Sequence, residues 1–430
     1  MMKIYRYDQV PLSELLIRSV DKSGVTAAVR DILEDVERRG DEALLEYTRR
    51  FDKAEPDALE VPPEEMDAAL SALDGEFRRV LERAAENIRA FHQRELEQLG
   101  GFRMDLPGGG YLGMKVTPME RVGLCVPGRT AAYPSTVLMT AIPARLAGCR
   151  EVVMISPPGP DGKQPAAILA AARIAGVDRV FRLGGAQGVA ALAFGTETVP
   201  RVDKIVGPGS AFVAEAKRQV YGRVDIDSIA GPSEILVVAD AKSDPVYVAA
   251  DLLSQAEHDV LSTAVLITDS PALAAAVQGE VERQLSALPR ESIARPSMEN
   301  NGKIIVTDDL LTALEAANAL APEHLEICVD DPAPFLERVR NAGSVFLGRY
   351  CPEALGDYLA GPNHTLPTGG GARFSSPLGV YDFVKRTQYS FYTPGELADV
   401  RADIARFARQ EGLEGHARSA LVRFDKGVIP

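Results

Sequence analysis

The feature that most restricts the fold of this chain is the alternation of short β-rich runs with helical runs after Arg121. A strand–helix–strand succession predicts parallel sheets with helices on their faces, because parallel neighbours need a crossover between them. One series of predicted strands lies at residues 122–126, 151–155, 179–183, 203–206 and 235–239, and a second lies at 263–268, 303–307, 324–328 and 344–347. The two series predict an α/β fold with two lobes.

The segments that flank these series are predicted to be mainly helical. Apolar residues recur at three- and four-residue spacing over 25–38, 41–50 and 76–99, the pattern of helices with one buried face. The segment from about Tyr381 to the end is polar and also favours helix. Since it has too few apolar residues for a core of its own, we expect it to pack against another surface, for which a partner subunit is one candidate.

Composition limits the classes of partner. Of the 430 residues, 46% are apolar and 25% are charged, as in ordinary soluble proteins. A net charge of −14 would repel phosphate backbones, so nucleic acid is not expected as a partner. No apolar run approaches the ~18 residues of a membrane span, and the N-terminus lacks a signal-peptide core. We therefore expect a cytoplasmic protein with no membrane contact.

The four cysteines are widely spaced and include no CxxC pair. This spacing argues against a disulfide framework and against a thiolate zinc site. Free and mostly buried thiols are expected at Cys125, Cys149, Cys328 and Cys351.

Four of the five histidines lie in the C-terminal half, beside other polar residues. Gln255 and His258 are three residues apart on a predicted helix, so both side chains could bind one metal ion from the same face. Asp357 and His364 lie in a predicted loop punctuated by glycine and proline, where binding residues are common. His92 is the exception, because its helix is highly charged and predicts a surface position.

Glu411 and His416 form a further candidate pair near the C-terminus. Their five-residue spacing would separate them around a regular helix, but Gly412 and Gly415 disfavour such a helix and could let them converge in a loop. A solvated ion pair or a helix cap also explains each of these pairs taken singly. Nitrogen and oxygen donors without thiolate suit zinc, cobalt or manganese, and an open ligand set is typical of a catalytic ion.

Glu323 and His324 place an acid beside a base just before a predicted strand, and Pro322 blocks continuation of the preceding helix. A capped strand entrance is the structural explanation of this pair. The functional one is a general base with a water activator, because histidine titrates nearest neutral pH and a carboxylate can deprotonate water.

Nicotinamide cofactors often bind at a GxGxxG turn, of which this chain has no good copy. Its nearest glycine-rich turns are residues 184–188 and 207–210, each between a predicted strand and a predicted helix. Backbone amides at such helix starts can bind a pyrophosphate, although a tight strand-to-helix turn alone also explains the glycines.

A set of longer motifs follows one order along nearly the whole chain. They are Pro127-Gly128, AYPSTVLM at 132–139, GGAQ at 184–187, GPG at 207–209, AGPSE at 230–234, DLLSQAEH at 251–258, APEHL at 321–325 and GDYLAGPNH at 356–364. In sequence and order they resemble the histidinol dehydrogenase family, and as a set they are highly specific.

The resemblance implies roles for nine residues and a dimeric assembly. It implies one Zn²⁺ per subunit, bound by Gln255, His258, Asp357 and His416, and substrate contacts from these four and from Ser233, Glu323, His324, His364 and Glu411. It also implies a homodimer with shared active sites, in which the C-terminal Glu and His reach the neighbouring subunit.

The reaction that the resemblance implies is a four-electron oxidation of L-histidinol through L-histidinaldehyde to L-histidine, at the end of histidine biosynthesis. Two NAD⁺ would accept the hydrides, and zinc would position the substrate through its imidazole and amino nitrogens. His324 would act as the general base, and Glu323 would activate the water that hydrates the aldehyde. An aldehyde held on the enzyme is protected from side reactions.

For the NAD⁺ contacts, the resemblance points to the positions of Cys125, Gln187 and Ser210. Gln187 matches the family, but Cys125 stands where many members have Tyr, and Ser210 stands where they have Asn. Cys125 lacks an aromatic surface and a hydroxyl, whereas Ser210 keeps hydrogen-bonding ability and can cap the following helix.

The predicted domain organisation combines the pattern with the resemblance. Residues 1–21 form an N-terminal extension. A first Rossmann-like lobe, with the metal and catalytic residues, comprises 22–124 and 238–380, and a second, on the NAD side, comprises 125–237. Residues 381–430 form a helical tail that mediates dimerisation.

Three other hypotheses stay open from the sequence. A dehydrogenase of the same fold for another small alcohol would keep the zinc and NAD but change imidazole-binding residues such as His364 and Glu411. A non-catalytic zinc or nucleotide-binding module would not need the adjacent Glu323 and His324. A thiol mechanism would need an activated cysteine, and Cys149 has no histidine near it in the sequence.

Overall fold

Strands and helices alternate along the computed structural model, which describes residues 2–9, 11, 23–128 and 132–424. The strands are β1 (Lys3–Arg6), β2 (Glu60–Val61), β3 (Phe102–Asp105), β4 (Tyr111–Pro118), β5 (Arg121–Cys125), β6 (Glu151–Ser156), β7 (Arg179–Arg182), β8 (Lys204–Val206), β9 (Asp225–Ile226), β10 (Glu234–Ala239), β11 (Thr263–Thr268), β12 (Lys303–Val306), β13 (His324–Cys328), β14 (Ser344–Leu347) and β15 (Val384–Phe391). The helices are α1 (Ser23–Arg39), α2 (Asp41–Tyr47), α3 (Pro63–Ala72), α4 (Gly75–Gln98), α5 (Pro134–Ala147), α6 (Ala166–Ala175), α7 (Gly185–Phe194), α8 (Ala211–Val220), α9 (Pro245–Ala256), α10 (Pro271–Leu285), α11 (Glu291–Asn300), α12 (Leu310–Leu320), α13 (Ala333–Leu336), α14 (Glu353–Tyr358), α15 (Pro394–Gln410) and α16 (Glu414–Leu421).

Two six-stranded sheets in the first of two compact units share one strand order. The first sheet runs β1-β12-β11-β10-β13-β14, and the second runs β2-β7-β6-β5-β8-β9. In each sheet the chain lays down three neighbouring strands and then returns to the far side of the first of them. All pairings are parallel except that of β2 with β7. The prediction of an α/β fold with parallel-rich sheets is therefore confirmed.

The parallel strands are buried on both faces, which explains their nearly continuous apolar runs. All six residues of β10 are buried. Ile235, Val237 and Ala239 join one core cluster with α9 and α10, whereas Leu236 and Val238 join a second with α12. The sheet thus lies between two helical layers.

The carboxyl ends of β10 and β13 are bridged by the Arg349 side chain. Its guanidinium donates to both Asp240 carboxylate oxygens at 2.9 and 3.0 Å, to the Ser243 hydroxyl at 2.6 Å and to the Cys328 carbonyl at 2.8 Å. This end of the first sheet is closed by ion pairs.

The second unit comprises residues 97–118 and 384–430, of which 425–430 lie outside the described residues. It contains the antiparallel sheet β15-β4-β3 and the helices α15 and α16. As expected, the tail is mostly helical, but it also contains a strand: β15 pairs with β4 along eight residues and sets Tyr389 and Phe391 against Tyr111. Its helices share a small core of Ala405, Ala408 and Ala417.

At the N-terminus, β1 extends the first sheet by pairing with β12. Of the predicted extension over 1–21, residues 1, 10 and 12–21 lie outside the described residues, and the domain boundaries stay a prediction. Among the described helices, none is long and apolar enough to cross a membrane.

The prediction that His92 lies on the surface is wrong. Its side chain on α4 is fully buried, with Nδ1 2.7 Å from a Glu95 carboxylate oxygen and Nε2 3.4 Å from the Asn363 amide nitrogen. Most charged residues of α4 lie on its exposed face, while His92 lies on the buried face beside Glu95 and supports the loop before His364.

We expect His92→Ala to lower the free energy of unfolding by about 2–4 kcal/mol, since it leaves a cavity and removes a partner from buried polar groups. Urea unfolding followed by circular dichroism measures the change. Arg83→Ala on the exposed face of the same helix is the control, with an expected change within about 0.5 kcal/mol. Equal stabilities of the two variants would contradict a supporting role for His92.

Candidate active site

Glu323 and His324 are anchored to the first residue of β10. The Glu234 amide donates to the Glu323 carboxylate at 2.9 Å, and the Glu234 carbonyl lies 3.0 Å from His324 Nδ1. Because a carbonyl can only accept, Nδ1 carries the proton and Nε2 keeps its lone pair. This hydrogen bond therefore prepares His324 Nε2 to act as a base.

Both side chains are almost fully buried, with 7% of Glu323 and 4% of His324 exposed. Burial raises the pKa of Glu323 well above its usual range. The turn that delivers the pair passes through Ala321 with φ of 49°. Pro322 follows, so α12 ends sharply and β13 begins at His324.

Gln255 and His258 lie at the end of α9, but not on one helix as predicted. The helix ends at Ala256, and the His258 amide closes a tighter turn on the Gln255 carbonyl at 3.1 Å. Gln255 Oε1 is buried and accepts no hydrogen bond from any described residue. Burial lowers the pKa of His258, which favours the neutral imidazole that binds metals.

Asp357 lies on α14 rather than in the predicted loop, and His364 follows in the loop. His364 Nδ1 is 3.5 Å from an Asp357 carboxylate oxygen and 3.2 Å from the Asp357 carbonyl. Burial opposes ionisation of Asp357, but the hydrogen bond from His364 and the nearby imidazoles of His324 and His258 lower its pKa to about 2. Asp357 is thus an ionised carboxylate among histidines.

Glu353 belongs to the site, although the sequence analysis missed it. Its side chain is 2% exposed, and its Oε1 lies 3.7 Å from His324 Nε2 without a hydrogen-bond partner among the described residues. Burial and the neighbouring Asp357 raise the pKa of Glu353 to about 7. Its spacing of four residues from Asp357 on one helix is the sequence signal that could have found it.

The donors of this cluster suit a zinc ion. Ligand atoms of His324, Glu353 and Asp357 all lie within 4.8 Å of one another. Gln255 adds a buried side-chain carbonyl oxygen that accepts no hydrogen bond from the described residues. His258 adds an imidazole whose lowered pKa favours the neutral form. A set of oxygen and nitrogen donors without thiolate fits zinc, and the orphaned Gln255 oxygen gains a partner when an ion is bound.

Other predicted residues differ in their placement. Ser233 is half-buried immediately before β10 and adjoins Glu234, the anchor of the pair. Glu411 caps the C-terminus of α15 and His416 lies on α16, both in the second unit and both exposed in the single chain. The break between these helices falls at Gly412, where φ is 76°.

A cavity of about 510 Å³ lies at the carboxyl ends of the strands of the second sheet. Cys125, Gln187 and Ser210 all line it, together with both glycine-rich turns and Asp259 next to His258. Because the strand order reverses between β5 and β8, the connections from their carboxyl ends lead to helices on opposite faces of the sheet and leave a crevice of the kind that binds dinucleotides. Ile32 and Phe51, in the N-terminal helical region, also line the cavity and were not expected there.

The cysteines give no support to a thiol mechanism. All four are free, and burial raises the pKa of Cys149 to about 11 and that of Cys125 to about 12. Since the thiolate is the reactive form, neither thiol is activated.

Comparison with known proteins places this geometry in one family. The family model described as histidinol dehydrogenase matches residues 17–424. Histidinol dehydrogenase of Streptococcus mutans is 53% identical over 414 residues, which cover 96% of each chain. That of Geobacillus kaustophilus is 53% identical over 400 residues, which cover 93% of this chain and 94% of the relative.

Solved structures agree with the sequence comparison. The crystal structure of histidinol dehydrogenase from Elizabethkingia anophelis has a TM-score of 0.91 at 37% identity and covers 98% of each chain. Aldehyde dehydrogenase 21 of Physcomitrella patens has a TM-score of 0.50 at 13% identity over 88% of each chain, a likeness of fold alone.

Proposed function

The chain belongs to the histidinol dehydrogenase family, and we propose that its Glu323 and His324 carry the proton transfers of the family's reaction. The enzyme oxidises L-histidinol to L-histidine in histidine biosynthesis and uses NAD⁺ and Zn²⁺. In balance, one L-histidinol, two NAD⁺ and one water give L-histidine, two NADH and three protons. The observation that carries the assignment of residues is the hydrogen bond that leaves His324 Nε2 free as a base.

In the alcohol step, His324 Nε2 takes the hydroxyl proton while the carbinol carbon loses hydride. The nicotinamide ring, when bound, supplies the acceptor for that hydride. The Glu234 carbonyl and the Glu353 carboxyl both face the imidazole, so the positive charge that forms on it is stabilised.

In the aldehyde step, Glu323 takes a proton from the water that adds to the carbonyl carbon. Its raised pKa makes it a stronger base than an ordinary carboxylate, because burial penalises the ionised form. The resulting hydrate loses its second hydride as His324 again accepts a proton. Both steps use side chains fixed on one strand end, so the aldehyde need not leave.

For the metal, we propose Gln255, His258 and Asp357 of one chain as ligands, with His416 as the fourth. When bound there, zinc would supply a positive charge that attracts and orients the nitrogen donors of the substrate. Ser233, His364 and Glu411 are the further substrate contacts of this proposal. These substrate contacts are supported by the partial exposure of Ser233 and by the position of His364, whose Nδ1 lies 3.5 Å from an Asp357 carboxylate oxygen.

The function is tested by the yield of NADH per L-histidinol consumed, with zinc-loaded protein and excess NAD⁺. Two NADH per substrate with L-histidine as product is the expected result. One NADH with released aldehyde would contradict the four-electron reaction. Turnover of other small alcohols but not L-histidinol would favour the alternative substrate class.

We also propose a homodimer in which His416 and Glu411 complete the partner's active site. Their exposure in the single chain supports this, as do the exposed apolar side chains of Val400, Ile404 and Phe407 on α15. An exposed apolar helix face with functional residues beside it is typical of an interface.

Subunit complementation distinguishes a shared site from a self-contained one. His324→Ala and His416→Ala should each be inactive alone, because each removes one component of every site. In mixed dimers one of two sites regains both residues, so co-refolding equal amounts should restore about a quarter of wild-type activity. Activity is read as NADH formation after size-exclusion chromatography. No recovery in a verified heterodimer would mean that each chain supplies its own His416.

A further inference from the structure

A buried ion pair holds both backbone polar groups of Gly207, the first residue of a turn that lines the cavity. Lys217 Nζ donates to the Gly207 carbonyl at 3.0 Å and to an Asp227 carboxylate oxygen. The other Asp227 oxygen accepts the Gly207 amide at 2.7 Å. The exposed fractions of the two side chains are only 2% and 6%.

The ion pair connects three elements beside the crevice: helix α8 and the ends of strands β8 and β9. Lys217 lies on the inner face of α8, Asp227 directly follows β9, and Gly207 directly follows β8. Ser228 adds its amide to the Asp227 carboxylate at 2.6 Å. Removal of either charge therefore breaks one of the two bonds that hold the turn and leaves the other charge buried without its ion-pair partner.

A residue with a side chain does not fit at position 207. The φ of Gly207 is +107°, and a Cβ there would overlap the Cys125 carbonyl oxygen across the crevice. The end of β5 and the turn after β8 are thus in close backbone contact. The ion pair bonds both backbone polar groups of Gly207, and the Cys125 carbonyl leaves no space for a side chain at position 207.

The next residues of the turn face the cavity. Pro208, Gly209 and Ser210 line it. Ser210 is the N-cap residue of α8, but contrary to the sequence-based expectation its hydroxyl makes no capping hydrogen bond. That hydroxyl is available to a ligand only if the turn keeps its place.

We propose that Lys217 and Asp227 are positioning residues for the dinucleotide, which hold the turn 207–210 in the shape that binds NAD⁺. The inference rests on the proposed NAD⁺ use and adds residues that touch no cofactor themselves. Burying two charges costs solvation free energy that apolar side chains of the same volume would not. In return, the ion pair orients the amide and carbonyl of Gly207 through hydrogen bonds, which apolar side chains cannot form.

The test is equilibrium binding of NADH, followed by its fluorescence, to zinc-loaded wild-type protein and to Lys217→Met. Lys217→Met should bind NADH about tenfold or more weakly, because the Gly207 carbonyl loses its donor. Zinc content and L-histidinol binding should stay at wild-type values. In steady state, KM for NAD⁺ should rise much more than kcat falls.

Arg349→Met is the matched control, since it breaks a partly buried ion pair in the other sheet. Its melting temperature should fall, as that of Lys217→Met should, but its NADH affinity should not change. If Lys217→Met does not fold, Asp227→Asn replaces it, with weaker NADH binding expected. Wild-type affinity in the folded Lys217 or Asp227 variant, or equal loss in Arg349→Met, would overturn the inference. Failure of wild-type protein to bind NADH would instead refute the proposed cofactor site.

Discussion

Replacement of His324 by alanine should lower the rate of L-histidinol oxidation by about 10²–10⁴-fold while zinc stays bound. The reason is that Nε2 is the one imidazole nitrogen of this residue left with a lone pair, because Nδ1 donates to the Glu234 carbonyl. Single-turnover NADH formation measures the chemical step, and zinc content is measured on the same sample.

His258→Ala is the control, because it should lose zinc together with activity. The comparison matters since ligand atoms of His324, Glu353 and Asp357 lie close enough to share an ion. Loss of zinc from His324→Ala as well would show that His324 is a metal ligand and not a free base.

Replacement of Glu323 by glutamine should impair aldehyde oxidation by about 10²–10³-fold and alcohol oxidation much less. Glutamine keeps an oxygen for the Glu234 amide but cannot take a proton from water. Starting single turnovers from L-histidinaldehyde and from L-histidinol separates the two steps. Equal losses in both would defeat this division of labour.

The pH dependence follows from the raised pKa of Glu323. Its basic form increases as pH rises through that pKa, so aldehyde oxidation by the wild type should increase with pH and the glutamine variant should lose this increase. A carboxyl with a folded pKa above its unfolded value stabilises the protein at low pH, and this contribution is lost as pH rises. The zinc-free glutamine variant should therefore be no less stable than wild type at neutral pH.

Glu326→Gln is the matched control for this experiment. Glu326 is a buried acid on β13, three residues after Glu323, with one oxygen 2.7 Å from the Glu353 amide. Its loss can disturb the packing of α14 but removes no proposed proton acceptor for water. A selective loss of aldehyde oxidation in this variant would contradict the role given to Glu323.

The sequence predicted the parts of the fold that depend on local pattern. Apolar runs with helices between them suffice to predict parallel strands, so β13 begins at His324 as expected. The glycine-rich turns lie after β7 and β8 for the same reason, and Cys125, Gln187 and Ser210 line one cavity.

The parts that sequence could not predict depend on distant packing. β15 finds its partner β4 about 270 residues earlier in the chain, a pairing with no local signal. The spacing of Glu353 from Asp357 indicates that the two side chains share one helix face, but the direction of that face toward His324 is set by the packing of α14. The prediction for His92 was wrong because the many charged residues of α4 suggest an exposed helix, whereas His92 is buried and contacts Glu95 and Asn363.

The two proposed sites of the first unit lie at opposite ends of their sheets. The pair at Glu323 and His324 stands at the amino ends of β10 and β13, whose carboxyl ends are closed by Arg349, whereas the cavity uses the carboxyl ends of β5 and β8. Mutations that change the preferred nicotinamide cofactor and mutations that change the preferred alcohol are accordingly expected in separate segments of the chain.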